Sequence, residues 1–364
     1  MPRRTMPAVP TKPRAFRRAI AATVFLLLAL LLAASLLAKM PFASDQVFGK
    51  LRSGQLWSEK ARYVDDWYAV EAIDDGSYII AEPKSSQYNS SYLLVGGDRA
   101  LLIDAGSGER PPNIRSIRAL AESLTAKPLM LALSHFHFDH IGDLDAFEGA
   151  LVLATAELQS RAQGGRLQIA ATESLTGPRS LRIQRWLGDG EKIDLGGRAI
   201  EIRSTPGHAQ ESATYIDRER QLVFAGDFLY QHLGGLVVFL PGSDTRVYAD
   251  EIGELLATTS KAYRYFGAHG KPEFDHDWAG RVQSAMGELA SGVAKPVLAE
   301  SYLAPGLPLH MHRQDQLLIY QPPFIAAQML YSWRSLAMLG AALALISGMF
   351  WCLFRALGRR GSAV

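Results

Sequence analysis

The segment 134–142, Ser-His-Phe-His-Phe-Asp-His-Ile-Gly, places three histidines and a carboxylate within six positions. An apolar run at 128–133 precedes it and predicts a buried strand, so the cluster lies at the carboxyl end of that strand. Residues two apart in an extended segment project to the same side, so His135 and His137 can converge on one metal ion. Asp139 and His140, at the turn, can reach a second ion. Imidazole and carboxylate ligands suit Zn²⁺, and Fe and Mn also accept them; adventitious metal binding by a His-rich strand end is the alternative.

Three further segments end in residues of a ligand type. Thr-Pro-Gly-His at 205–208 follows a strand predicted at 200–204 and turns sharply, which presents His208 at the strand end. The apolar strand predicted at 222–226 is followed by Asp227, and the aromatic strand predicted at 263–270 carries His269 near its end. One such residue alone is more often a turn residue than a ligand. Four strands that each deliver a ligand type at the same end predict a metal centre.

With these motifs, residues 66–294 resemble the metallo-β-lactamase superfamily of hydrolases. The resemblance implies an α/β fold, the four-layer αβ/βα metallo-β-lactamase sandwich, and two divalent metal ions as cofactors, with Zn expected first. It implies that His135, His137 and His208 hold one ion. Asp139, His140 and His269 would hold the second ion, and Asp227 would bridge the two. Asp104 ends a predicted strand, and a helix predicted at 112–125 separates it from the cluster. We expect it to support a ligand rather than to bind metal.

The hydrolase domain is predicted to occupy residues 64–294, where short strands alternate with helical stretches. The segment 156–186 is predicted to be mostly helical and to form a substrate-specific insertion. Two amphipathic outer helices are expected at 246–260 and 279–292. Residues 295–335, which contain several prolines, are predicted to form an extended connector.

Two uncharged apolar runs, residues 19–38 and 336–354, are each long enough to span a bilayer. Basic tails at 1–18 and 355–364 flank them, and the positive-inside rule then places both termini in the cytoplasm. The sequence therefore predicts a two-span protein of the inner cell membrane, with its catalytic domain on the exported side and a juxtamembrane linker at 39–63. A cleaved signal peptide is the competing interpretation of the first run.

The formal net charge of +2 conceals a separation of charge along the chain. Nine of the 38 Lys and Arg lie in the two tails, which leaves 29 against all 36 acidic residues, or about −7 between the tails. A net negative charge repels the phosphate backbone of a nucleic acid. We therefore expect a small-molecule substrate and a membrane as partners, and no nucleic acid. Cys352 is the only cysteine, so no intrachain disulfide forms.

A bridging hydroxide between two metal ions hydrolyses acyl bonds, because the ions lower the pKa of water and polarise a carbonyl. The expected function is therefore membrane-anchored hydrolysis of an ester or lactone, in which Asp139 and Asp227 hold metal and accept a proton. Tyr230 stands three residues after Asp227, and this spacing resembles N-acyl homoserine lactonases, in which the tyrosine supports the substrate carbonyl. A packing tyrosine is the alternative.

Residues 226–243 are also similar to acyl-CoA thioesterases of the superfamily. Acyl-CoA is cytosolic, which conflicts with an exported site, so hydrolysis of acyl-CoA or a glutathione thioester is the alternative function. A non-catalytic, membrane-tethered metal-binding protein is the other alternative. The bridging Asp227 resembles glyoxalase II and the lactonases, whereas zinc β-lactamases generally lack this carboxylate, so β-lactam hydrolysis is disfavoured.

Overall fold

Two facing β-sheets form the centre of the structure, a computed structural model that describes residues 56–175, 177–231, 236–238, 242–294, 297–301, 304–314 and 317–321. All of these residues belong to one of the two units into which the chain divides, Ala43–Tyr331. The other unit, 1–42 with 332–364, lies outside the described residues.

The first sheet has eight strands in the order β1-β2-β3-β4-β5-β6-β7-β11. Their bounds are β1 Arg62–Val64, β2 Tyr68–Asp74, β3 Ser77–Glu82, β4 Asn89–Val95, β5 Ala100–Ile103, β6 Leu129–Ala132, β7 Leu151–Thr155 and β11 Arg185–Leu187. Neighbours run antiparallel from β1 to β5 and parallel from β5 through β6 and β7 to β11. Parallel strands end at the same edge of a sheet, so the segments that follow β5 and β6 lie side by side.

The second sheet has six strands in the order β12-β13-β14-β15-β17-β18. Their bounds are β12 Lys192–Asp194, β13 Ala199–Ser204, β14 Ala213–Asp217, β15 Leu222–Gly226, β17 Arg264–Gly267 and β18 Glu273–Asp275. In this sheet β15 and β17 are parallel, so the segments that carry Asp227 and His269 leave it at the same edge. Both sheets therefore deliver the predicted ligands from strand ends.

Helices cover the outer faces of the two sheets. The described α-helices are α1 Ile117–Leu124, α2 Ala171–Ser174, α3 Thr245–Ala257 and α4 His276–Ser291. The three longer helices begin at side chains that accept a backbone N–H, namely Ser116, Asp244 and Asp275. Buried residues of α1 pack with one face of the first sheet, and those of α3 and α4 pack with one face of the second. The remaining faces share a third apolar cluster, which gives the helix-sheet-sheet-helix order expected for the α/β sandwich.

Aromatic rings join the two sheets below the strand ends. The Tyr92 ring of β4 contacts Phe224 of β15 and Phe266 of β17, with ring centroids 5.0 and 5.8 Å apart. Its hydroxyl donates a hydrogen bond to the carbonyl of Gly267. Because protein interiors are closely packed, these contacts fix the separation of the two sheets and therefore of the residues at their ends.

The segment 156–186 differs from its predicted helical structure. Ala156–Arg161 is a 3-10 helix, and three short strands after it form a small antiparallel sheet with the single turn of α2 between the last two strands. Its strands are β8 Ala162–Gln163, β9 Arg166–Ile169 and β10 Arg179–Arg182. Along β9 the buried Leu167 and Ile169 flank the exposed Gln168. This period of two is the pattern of a strand, and it outweighs the helix-forming composition of the segment.

A fourth sheet includes part of the predicted connector 295–335. Its strands are β16 Leu236–Val237, β19 Val297–Ser301, β20 Ala304–Gln314 and β21 Leu317–Gln321, in the order β16-β21-β20-β19. Pro305 and Pro308 lie within β20. Proline disfavours a paired strand because it has no N–H to donate, yet both prolines lie within a strand of this sheet.

The predicted placement in a membrane is wrong. Among the residues that the structure describes, no helix is long and apolar enough to cross a bilayer; α4, the longest, has 16 residues, against about 20 for a span. This finding contradicts the prediction of a two-span inner-membrane protein with an exported catalytic domain. The two predicted spans, 19–38 and 336–354, and the basic tails beside them lie outside the described residues.

A buried ion pair ties the second sheet to the first. Arg198, beside β13, is 4% exposed and donates from Nε to Oδ2 of Asp217 at 2.8 Å. Its other nitrogens donate to the carbonyl of Gly76 at 2.8 Å, in the turn between β2 and β3, and to the hydroxyl of Ser77 at 2.6 Å, the first residue of β3. Removing one partner of such a pair leaves a buried charge uncompensated.

We therefore expect Arg198→Ala to lower the free energy of unfolding by about 3–5 kcal/mol. Denaturant unfolding of the purified variants measures this change. Arg99→Ala is the matched control. It removes an exposed arginine whose backbone N–H donates to Leu195, and it should change stability by less than about 0.5 kcal/mol. Equal effects of the two substitutions would show that the buried pair does not hold the sheets together.

Candidate metal centre

The structure brings all seven predicted ligands together in two adjoining groups. The donor atoms in each group lie within 4.8 Å of one another, and every member is buried. The first group consists of His135, His137, His208 and Asp227, and the second of Asp139, His140 and His269. Within the first group, Nδ1 of His137 lies 2.8 Å from Nε2 of His135 and 3.0 Å from Nε2 of His208. Each group can hold a metal ion.

Asp227 lies between the two groups. Its Oδ2 is 3.5 Å from Nε2 of His208 in the first group and 2.9 Å from Nε2 of His269 in the second. Its Oδ1 is 3.2 Å from Nε2 of His140. One carboxylate thus presents an oxygen to both groups, which is the geometry that the bridging assignment requires.

The backbone at Gly226 allows Asp227 to take this position. Gly226 has φ +53°, in the left-handed region that glycine enters without steric cost. A Cβ at this position would also lie 2.4 Å from Cβ and Oγ of Ser134, the residue just before the His-x-His motif. The close approach of the two strand ends therefore depends on the missing side chain.

Hydrogen bonds fix the orientation of two histidines in the second group. Nδ1 of His140 lies 2.8 Å from Oδ2 of Asp104, and Nδ1 of His269 lies 3.0 Å from the carbonyl oxygen of Gln87. Since these oxygens accept a hydrogen bond from Nδ1, Nε2 is the nitrogen of each ring that faces the site and is available to a metal ion. Asp104 thus contacts Nδ1 of His140, in agreement with the prediction that it supports a ligand.

Asn89 is a residue of the site that the sequence analysis missed. Its side-chain amide donates to Oδ2 of Asp139 at 3.1 Å and to the backbone carbonyl of Asp139 at 2.9 Å. Asn89 opens β4 and is 2% exposed. The sequence signal that could have identified it is a polar residue at the first position of a buried strand. Its amide holds the carboxylate of Asp139 toward His269.

Burial makes three of the imidazoles neutral. The pKa values of His135 and His137 lie well below the usual value because burial disfavours the imidazolium, and neighbouring histidines lower them further. Burial also lowers the pKa of His208. Neutral imidazole is the form that binds a metal ion, so this group is prepared for coordination at neutral pH.

Carboxylates dominate the second group. Burial alone would lower the pKa of His140, but Asp227, Asp139 and Asp104 together raise it well above its usual value. Burial would likewise raise the pKa of Asp227, yet His269 and His140 hold it well below its usual range. The site therefore favours positive charge at this point, which a divalent cation supplies.

Two buried atoms also indicate that a cation fits between the groups. Within the described part of the chain, Nε2 of His140 and Oδ1 of Asp227 make no hydrogen bond of normal geometry. Buried polar atoms in native proteins nearly always have a partner, because an unsatisfied group costs roughly 1–3 kcal/mol. A metal ion would satisfy both atoms, so the residues present fit the expected group.

Tyr230 lies in a packed part of the structure. The chain does not turn outward after Asp227, because Phe228 and Leu229 are 1% and 0% exposed and belong to the core cluster beneath α3 and α4. Tyr230 is 4% exposed in the same cluster, and its ring meets the His269 ring edge-on with centroids 5.2 Å apart. It thus lies beside the second group with its ring packed, and its predicted role on the substrate stays a prediction.

Comparison with known proteins gives a consistent family. Residues 87–269, just over half of the chain, match the family described as the Metallo-beta-lactamase superfamily. Acyl-coenzyme A thioesterase MBLAC2 of Gallus gallus is 30% identical over 204 residues, which cover 50% of this chain and 73% of that protein. The Bos taurus protein of the same name is 29% identical over 215 residues, or 52% and 76% of the two chains.

Two further similarities are more general. The Probable metallo-hydrolase YqgX of Bacillus subtilis is 30% identical over 194 residues, which cover 51% of this chain and 86% of that protein. Among solved structures, a metallo-beta-lactamase from Pontibacter korlensis is 17% identical, with a TM-score of 0.48 over 60% of this chain and 99% of that chain.

The support that Asp104 gives to His140 can be tested directly. Asp104 has φ +69°, a conformation that Asn also tolerates, so Asp104→Asn should preserve the backbone. We expect this variant to bind its second metal ion about 10 to 100 times more weakly, because the ring loses its carboxylate acceptor. Competition with a chromogenic chelator measures the affinity. The exposed Asp145, changed to Asn, is the control; an unchanged affinity in Asp104→Asn would contradict the assignment.

Proposed function

Because the chain belongs to the metallo-β-lactamase superfamily, we propose that it is a metal-dependent thioesterase that hydrolyses acyl-coenzyme A or a related thioester. The observation that supports the choice of thioester is the alignment with proteins named acyl-coenzyme A thioesterase, which spans about three quarters of those proteins. The family match at residues 87–269 contains both groups of donor residues. The chain has a histidine or aspartate at every position that the dinuclear site requires.

This proposal differs from the ester or lactone expected from the sequence. The expectation depended on an exported site, which acyl-CoA does not reach. Since the predicted membrane placement is contradicted, that objection to a thioester no longer applies. Ester or lactone hydrolysis becomes the alternative, and an assay with matched acyl groups separates the two.

We assign His135, His137 and His208 to one ion and Asp139, His140 and His269 to the other, with Asp227 shared. Bound divalent ions, for which Zn²⁺ is the first candidate, would lower the pKa of a water molecule and polarise the thioester carbonyl. The side chains would hold these ions from opposite sheets, and Asn89 and Asp104 restrain two of the proposed ligands. Burial of all seven ligands limits competing water and strengthens their electrostatic effect.

The carboxylates have a second role in the proposal. Asp139 and Asp227 are the residues placed to accept the proton that the attacking water releases. A thiol with a pKa of about 8.5 leaves readily as the thiolate, so the departing group needs less help from a general acid than an alcohol would. The absence of a dedicated acid among the predicted site residues is therefore compatible with a thioester substrate.

We expect the purified protein to release free thiol from acyl-CoA, with a higher kcat/KM than for oxygen esters or lactones with the same acyl group. Removal of metal by a chelator should abolish the activity, and added Zn²⁺ should restore it. Asp227→Ala should lower turnover by about a hundredfold or more, since even the loss of an outer contact to a metal ligand costs 10 to 100 times. Asp145→Ala is the control. A clear preference for the oxygen ester or lactone would favour the alternative function.

Tyr230→Phe tests whether the phenol acts on the substrate. A hydrogen bond from the hydroxyl to the developing oxyanion contributes about 2.7–4 kcal/mol, so its loss should lower kcat by roughly a hundredfold or more while metal content is unchanged. Tyr265→Phe is the matched control, because that tyrosine packs in the same core cluster and its hydroxyl bonds to Thr259. If kcat is unchanged in Tyr230→Phe, or falls together with stability, the tyrosine has a packing role against His269.

A further inference from the structure

A groove of about 570 Å³ lies beside β17, β18 and the start of α4. Four basic side chains line it, together with Gln231, the aromatic Trp278 and further polar residues. The four cations are Lys261, Arg264, Lys271 and Arg281. None of these residues belongs to the metal centre described above.

Two of the four cations are already compensated by carboxylates. Nζ of Lys261 lies 2.8 Å from Oδ1 of Asp277. Arg264 and Glu273 form a second pair, in which Nη2 of Arg264 lies 2.7 Å from Oε2 of Glu273. The other carboxylate in the groove, on Asp275, accepts the backbone N–H of Trp278 at 2.7 Å and caps α4.

The other two cations form no ion pair of this kind. Within the described part of the chain, no carboxylate lies within 4 Å of the charged groups of Lys271 or Arg281, and both residues are exposed. The Arg281 guanidinium lies over the Trp278 ring, 5.2 Å from its centroid, which restrains it toward the groove. A restrained guanidinium loses less entropy when it binds an anion.

The groove begins next to the metal centre. Lys271 follows the ligand His269 by two residues, and its backbone N–H donates to the carbonyl of Gln231 at 3.3 Å. Gln231 in turn follows Tyr230, whose ring contacts His269. One end of the groove therefore lies one residue from Tyr230 and two residues from His269 along the chain.

We propose that this groove binds the phosphate groups at the nucleotide end of a coenzyme A thioester, with Lys271 and Arg281 as the contacting residues. Arginine and lysine are the side chains that recognise phosphate, and the volume suits a nucleotide-sized group. The inference rests on the proposed function, because it takes its ligand from that function. It adds a specificity site remote from the bond that is cleaved.

The direct test is calorimetric binding of adenosine 3′,5′-bisphosphate, which carries the phosphates of coenzyme A and no thioester. We expect wild type to bind it, and the double variant Lys271→Ala/Arg281→Ala to bind it about tenfold or more weakly, because the variant loses two charged contacts to phosphate. Arg99→Ala removes one exposed arginine elsewhere and should bind like wild type.

Steady-state kinetics give a second readout. The double variant should show a higher KM for acyl-CoA with a smaller change in kcat, because it loses binding that ground state and transition state share. Asp227→Ala should lose hydrolysis and keep nucleotide binding. If wild type binds the nucleotide but hydrolyses no acyl-CoA, the proposed function fails and the phosphate site stands. If wild type hydrolyses acyl-CoA but the nucleotide does not bind, or binds equally well to the double variant, the groove is not the phosphate site.

Discussion

A buried carboxylate is costly unless positive charge compensates it, and Asp227 is 6% exposed with donor atoms of both groups around it. The oxygen atoms of Asp227 contact His140 from the first sheet and His208 and His269 from the second. Any displacement of one sheet against the other would change these contacts. The site thus depends on one charge that both halves of the fold must satisfy together.

Three features of the structure position Asp227 and the residues around it. Parallel strand pairs in both sheets bring the ligand segments to strand ends, and the rings of Tyr92, Phe224 and Phe266 hold the sheets at a fixed separation. The absent side chain of Gly226 lets the two strand ends approach. Asp104 then orients one ligand ring by a hydrogen bond. Metal binding would therefore act on a site whose geometry the apolar core has already imposed.

The sequence predicted most of the fold and the seven residues that the structure brings together at the site, because strand periodicity and chemically distinctive residues are both local patterns. The strand predicted at 200–204, for example, differs by one residue from the observed β13, Ala199–Ser204. It did not predict the strands at 156–186, where short runs carry little periodic signal, or the contact of Asn89 with Asp139, which joins residues 50 positions apart. The membrane placement came from segments outside the described residues and is contradicted by the helices that the structure describes. The setting of Tyr230 depended on whether Phe228 and Leu229 are buried, which tertiary packing decides.

We propose that Asp227 joins two metal ions in one site. Electron paramagnetic resonance of the protein loaded with Mn²⁺ tests it, because two ions that share a carboxylate are magnetically coupled and separate ions are not. We predict a coupled spectrum from two ions per chain in wild type, and loss of the coupling in Asp227→Ala. A spectrum of uncoupled ions in wild type, or one identical in the variant, would contradict the account.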